Sequence, residues 1–251
     1  MSKTLHALLA SAVVLGVPLA FVTPAHGVST PIAGPGSYSV GATTSAQEPD
    51  LAGTVLADRL QPFTINGSAG GVATGTIQER VVRSDDTGLL HFYSRVLFDQ
   101  VSGFEAGSYV EWLNLDSAAT GDPLAVGRRP DGVGSPTSSL YDLAVAGQSR
   151  FDFNLLNLDP ANAGFSTQFH YLKTDAANYA LTGQLQLTGF EFIGSNAQDI
   201  SSAWLPTWAP ALVPEPESWA MMIAGFGLLG VVLRRARPEH GGAGRRGAAA
   251  L

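Results

Sequence analysis

The sequence predicts an all-β fold, an antiparallel β-sandwich of jelly-roll-like type carried between two apolar ends. Three observations predict it. Short runs of alternating apolar and polar residues recur through the middle of the chain, and Gly-, Pro-, Asn- and Asp-rich turns separate them. No middle stretch of ten or more residues shows helical spacing.

Taken in order, residues 28–50 are rich in Gly, Pro, Ser, Thr and Ala and read as a linker, or as one edge strand around Tyr38-Ser39-Val40. The β domain spans 51–210. Its expected strands are Thr54–Ala57, Gln61–Asn66, Val72–Arg83, Leu89–Asp99, Ser108–Asn114, Ser139–Val145, Arg150–Leu156, Ser166–Thr174 and Ala180–Ile193. Turn chemistry lies between them at Asn66-Gly67, Asp85-Asp86-Thr87-Gly88, Gly121-Asp122-Pro123, Asp131-Gly132 and Asp159-Pro160. Leu90, Phe92, Ser94, Val96 and Phe98 share one face, opposite His91, Tyr93, Arg95 and Leu97. Phe151, Phe153 and Leu155 alternate with Asp152 and Asn154, and Leu181, Gly183, Leu185 and Leu187 alternate with polar residues. Such strands are half-buried, and about nine of them at this spacing imply two packed sheets.

Composition narrows the chemistry. The 251 residues contain no cysteine, which removes disulfides, thiol catalysis, thiolate zinc sites and iron–sulfur ligation together. Residues 28–213 hold eight basic against eighteen acidic residues, a net charge of −10. Nucleic acid needs a basic face, so it is excluded as a partner.

Residues 1–27 read as a secretory signal peptide. Lys3 gives the positive start, Leu8–Val22 is an uncharged apolar run, and Ala25-His26-Gly27 offers small residues at −3 and −1. Signal peptidase is expected to cut between Gly27 and Val28. The run is short for a retained anchor, and Pro18 and Pro24 break it near its end.

The other end, 211–237, has three parts in fixed order. Val213-Pro214-Glu215-Pro216 is extended by its two prolines. Ser218–Leu233 is uncharged and apolar, and as a helix its sixteen residues span roughly 24 Å against a bilayer core of about 30 Å. Arg234, Arg235 and Arg237 follow as a membrane-stop cluster whose stems can snorkel, and they place that end in the cytoplasm. Trp219 suits the opposite interface. Residues 238–251 then form a Gly/Ala/Arg tail, expected to be disordered and cytoplasmic.

The run Pro214-Glu215-Pro216-Glu217-Ser218-Trp219-Ala220, followed by a transmembrane helix and arginines, resembles the PEPxxWA variant of the PEP-CTERM sorting domain of Gram-negative bacteria. Such bacteria often make exopolysaccharide. The resemblance implies recognition of Pro214, Glu215, Pro216, Trp219 and Ala220 by an exosortase-like membrane protease or transpeptidase. The tail beyond Arg237 departs from the pattern, in which chains usually stop soon after the arginines. Gly225–Gly230 also spells G-x-G-x-x-G, but it lies inside the apolar span, without the strand, helix and acidic residue that a dinucleotide needs.

No catalytic residue, metal site or cofactor is assigned. His91 and His170 are the only histidines of the domain and satisfy no ligand spacing. Asp85-Asp86 reads as a solvated turn, and the acidic loops Asp116–Asp122 and Asp152–Asp159 lack a D-x-D-x-D-G run for calcium. Gly147-Gln148-Ser149-Arg150-Phe151 fails the G-x-S-x-G pattern. Tyr93, Tyr109, Trp112, Tyr171, Tyr179, Trp204 and Trp208 remain as candidates for a sugar-stacking platform or as packing residues. The leading expectation is a non-enzymatic exported surface or extracellular-matrix structural protein. A carbohydrate-binding module contacting exopolysaccharide is the alternative, and an exported hydrolase stands third.

Overall fold

The computed structural model describes residues 28–116, 123–132, 134–136, 140–145, 148–211, 222–224 and 226. The strands among them are β1 (Thr30–Pro31), β2 (Gly36–Ser39), β3 (Gly41–Ala42), β4 (Gly53–Asn66), β5 (Val72–Ser84), β6 (Leu90–Ser102) and β7 (Tyr109–Asp116). They continue with β8 (Pro123–Arg129), β9 (Leu140–Val145), β10 (Gln148–Asn157), β11 (Phe169–Thr174), β12 (Tyr179–Ile193), β13 (Asn196–Ser201) and β14 (Leu205–Pro210). Two 3-10 turns, Pro49–Leu51 and Pro160–Asn162, complete the domain.

The strands form two antiparallel sheets. Sheet one runs β1-β8-β11-β6-β5-β4, with β3 joining β8 in parallel. Sheet two runs β13-β12-β7-β10-β9-β2, with β14 sharing the outer edge of β12 beside β13. Neither closes into a barrel. Residues 29–51 contribute to both sheets through β1, β2 and β3.

The long meander β4-β5-β6 follows from its turns and its alternation. At the β5–β6 turn the Ser84 N–H donates to Leu89 O at 2.9 Å, and Gly88 takes φ +72°. Any Cβ there would strain the backbone. Leu90, Val96 and Phe98 point inward and are at most 2% exposed, while His91, Tyr93, Arg95 and Leu97 point outward. The expected runs Thr54–Ala57 and Gln61–Asn66 merge into one strand, because the intervening Asp58 and Arg59 find cross-strand partners on β5. Arg80 donates to Asp58, and Arg59 Nε donates to Glu79 at 3.0 Å. A register shift between Val55 and Ala57 absorbs the misfit. As the sheet edge, β4 tolerates Pro62.

Facing side chains from both sheets make one core. Phe63 meets Phe98 edge-on at 5.5 Å, and Tyr141 lies 5.1 Å from Phe151. Leu113, Leu185 and Leu187 come from sheet two, each fully buried. Strands β8, β13 and β14 have no strong alternation in sequence and form by pairing with β11 and β12. Residues 175–178 form a bend between β11 and β12.

The ionic contact most central to the sandwich is at Glu79, on the inner face of β5. Its carboxylate accepts from Arg59, from Gln61 and from the Thr207 hydroxyl, so β4, β5 and β14 meet on one buried group. Removing it leaves the Arg59 charge without that partner. Glu79→Ala is therefore expected to cost about 3 kcal/mol in equilibrium urea denaturation. Asp58→Ala, which breaks a half-exposed pair on the same two strands, should cost under about 1 kcal/mol. Equal losses for the two variants would show that Glu79 is not the closing contact.

Candidate functional site

Three places gather polar or aromatic side chains. The first lies on the outer face of sheet one, under the segment Thr43–Ala52. Lys173 of β11 donates to Glu48 and, at 2.8 Å, to Asp50 Oδ2. The Ser29 N–H and hydroxyl both donate to Glu48, and the Ser29 hydroxyl lies 2.7 Å from Tyr171 Oη. Burial alone would raise the Glu48 carboxyl, but hydrogen bonds from Lys173 and Ser29 outweigh it and hold it below the usual range. His91 sits beside this network with Nε2 3.0 Å from Asp50 O, and burial lowers its basicity. Leu51, Val82, Tyr93, Phe169 and Tyr171 pack beneath as a small second core. Lys173, Glu48, Asp50 and Ser29 satisfy one another, while His91 Nδ1 is buried without a hydrogen-bond partner among the described residues, and the cluster clamps a covering segment onto the sheet.

The second place is the space between the sheets, where a cavity of about 70 Å³ is bounded by Phe92, Tyr141, Phe151, Leu172 and Glu79. It has room for a few waters and is too small for a sugar.

The third is a groove of about 980 Å³ on the outer face of sheet two, crossing β2, β9, β10, β7, β12 and β13. Its floor is built by strand alternation: Leu113, Tyr141 and Phe151 point into the core, so Trp112, Asp142 and Arg150 point out. Ser37 Oγ donates to Asp142 Oδ1 at 2.5 Å, and Arg150 Nε donates to Asp142 Oδ2 at 3.0 Å. The Arg150 guanidinium lies 4.6 Å from the centre of the Trp112 ring. Asn114 Nδ2 donates to Thr188 Oγ1 at 2.8 Å. Trp204, 46% exposed, stands on the far rim.

Of the seven aromatics that were candidates for a sugar-stacking platform or for packing, Trp112 and Trp204 line this groove. Tyr93 and Tyr171 are buried under the covering segment, and Trp208 packs edge-on against Tyr179 at 5.3 Å beneath the Arg59 guanidinium. Tyr109 lies beside the groove with Phe190 at 5.7 Å and Phe192 at 6.3 Å. The inward set on β12 stays at odd numbers through Glu191, which puts both phenylalanines on the outer face. Arg150, Asn114 and Asp142 were not singled out from sequence. Their outward placement followed from alternation, but their convergence depended on which strands pair.

His91 and His170 do not converge. They lie on neighbouring strands but on opposite faces of sheet one, and His170 sits in the core against Phe151 at 5.1 Å and Phe153 at 5.4 Å. Among the described residues no group of three His, Asp or Glu side chains is placed to hold a metal ion. Asp85 and Asp86 occupy an exposed turn, and Ser149 lies within β10 without a strand-to-helix elbow.

The last strand of the domain leads straight to the C-terminal element. β14 ends at Pro210, and the Ala211 N–H donates to Asn178 O at 2.9 Å. Residues 212–237 match the family model of the PEP-CTERM protein-sorting motif. The chain carries a PEP-CTERM sorting signal. No curated protein and no solved structure matches the chain. The PEP-CTERM motif implies an exported protein with a membrane-anchored C-terminal signal and an exosortase-type processing partner.

Pro214, Glu215, Pro216, Trp219, Ala220, Arg234, Arg235 and Arg237 fall inside the matched span but outside the described residues. Most of the expected membrane helix at 218–233, the signal peptide through Gly27, and the tail at 238–251 also lie outside the described residues. Within the expected span only Met222–Ala224 and Phe226 are described; they are helical and exposed. No helix among the described residues is long and apolar enough to cross a membrane.

Burial of His170, with a smaller push from Arg128, lowers its pKa to about 3, against a weak opposing effect of the Ser94 backbone. The unfolded chain binds that proton near pH 6.5, whereas the folded chain refuses it until about pH 3. Stability is therefore expected to fall as pH drops from about 6.5 towards 3, by up to about 1.4 kcal/mol per pH unit from this group. His170→Leu should flatten that limb in urea titrations at a series of pH values. Parallel limbs in the two proteins would refute it.

Proposed function

We propose that this is a non-enzymatic exported protein of the cell surface or extracellular matrix, processed at its PEP-CTERM signal by an exosortase-type membrane enzyme. The observation that carries the reading is the sorting-motif match at 212–237. It begins one residue after Ala211, whose backbone is still bonded to the domain.

Signal peptidase acts at the other end in this reading. Val28 is 66% exposed whereas Ser29 is 5% exposed and tied to Glu48, so cleavage between Gly27 and Val28 leaves the clamp intact. N-terminal sequencing of the exported form should begin at Val28; a start beyond Ser29 would contradict it.

A carbohydrate-binding module that contacts exopolysaccharide is the second reading. The open groove holding Trp112 and Trp204 favours it. An exported hydrolase gains no support, since the two histidines of the domain lie on opposite faces of sheet one.

Deleting Pro214–Pro216 tests the sorting reading. The full-length species should then persist in the inner membrane on fractionation and immunoblotting. Processing and release at the unaltered rate would refute an exosortase role.

A further inference from the structure

Resting on the carbohydrate-binding reading above, we infer that the outer groove of sheet two binds an uncharged linear polysaccharide chain, laid across the strands between Ser37 and Trp204. The contrast between the two sheets identifies the face. The outer face of sheet one is roofed by the Thr43–Ala52 segment, with Leu51 2% exposed and Lys173 locked to Glu48 and Asp50. Sheet two has no such cover over its groove among the described residues, and Gln148, Asp199, Ser201 and Trp204 stand exposed along it.

The shape suits a polymer. The groove crosses six neighbouring strands, β2 to β13, and five inter-strand intervals make roughly 24 Å. That length takes several linked sugar rings, and a shallow trough open at its sides lets a longer chain continue past it. A small-molecule site would be a deeper and more apolar enclosure.

The chemistry suits a sugar. A pyranose ring offers one apolar face and a rim of hydroxyls. An indole supplies the flat apolar partner, and short polar side chains supply directional donors and acceptors. Trp112 and Trp204 are the indoles here. Asn114 and Thr188 are already bonded to each other, and Asp142 is held by Ser37 and Arg150, so the polar groups are fixed before a ligand arrives. Arg150 stacks on Trp112 and thereby positions its ring.

Charge decides between classes of polymer. Asp116, Asp142 and Asp199 line the groove, and its single cation among the described residues, Arg150, is engaged by Asp142. The domain around it carries a net −10. A polyanionic chain such as a uronate polymer meets repulsion there, as does nucleic acid, whereas a neutral chain meets only hydrogen-bonding groups.

The test uses the purified full-length chain in a non-ionic detergent, run in native gels containing a neutral polysaccharide (cellulose ether, galactomannan, dextran or the producer's own exopolysaccharide) or alginate. Retardation by at least one neutral polymer and none by alginate is expected. Trp112→Ala and Trp204→Ala should each weaken it about tenfold. Trp204, standing exposed on the rim, is the variant that leaves packing intact if Trp112→Ala fails to fold. Full retardation of a folded Trp204→Ala, Asp199→Ala double variant would overturn the groove while leaving carbohydrate binding in place elsewhere. Retardation by alginate alone would overturn the neutral ligand. No retardation by any polymer, the producer's own included, would overturn the carbohydrate reading itself.

Discussion

A domain without cysteine has to be held shut by its interior, and the interior here is the meeting of two sheets. Phe63, Ile65, Ile77 and Phe98 from one sheet face Leu113, Phe151, Leu185 and Leu187 from the other, and all are nearly or wholly buried. Everything else depends on that contact, because it assigns each strand an inside and an outside. Buried polar groups then have to be satisfied within the same interface. Glu79 is the clearest example, binding Arg59, Gln61 and Thr207 across three strands. His170 takes a different course and stays neutral between two phenyl rings.

The outer faces diverge from this common base. On sheet one the first residues of the described domain fold back as a cover, sealed by an apolar patch around Leu51 and by the Glu48–Lys173–Asp50 bridge. On sheet two the same alternation leaves a row of polar and aromatic side chains with no cover among the described residues. A sheet that buries one face and exposes a large concave strip of indole, amide and carboxylate groups has surface to spare for a partner.

The address and the cargo meet without a spacer. The backbone of β14 is bonded through Ala211, and the PEP-CTERM motif begins at residue 212.

Fold class, the turns at Asn66-Gly67 and Asp85–Gly88, and the inward set on β6 were all legible from local pattern, because period-two alternation and turn chemistry act over a few residues. The sorting signal was legible for the same reason, since its motif, apolar span and arginines are contiguous. Strands β8, β13 and β14 were not. Pro206 and Pro210 of β14, and the sequence NAQDIS of β13, carry little strand preference and are ordered by pairing with β12. By itself the sequence determined that the chain is exported β architecture with a membrane address, and which side chains of each strand share a face. Only the tertiary structure decided which faces are roofed, that His91 and His170 part company, and that Trp112, Asp142, Arg150 and Trp204 share a groove. Those outcomes depend on strand neighbours far apart in the chain, and alternation along one strand carries no information about which strand lies next to it.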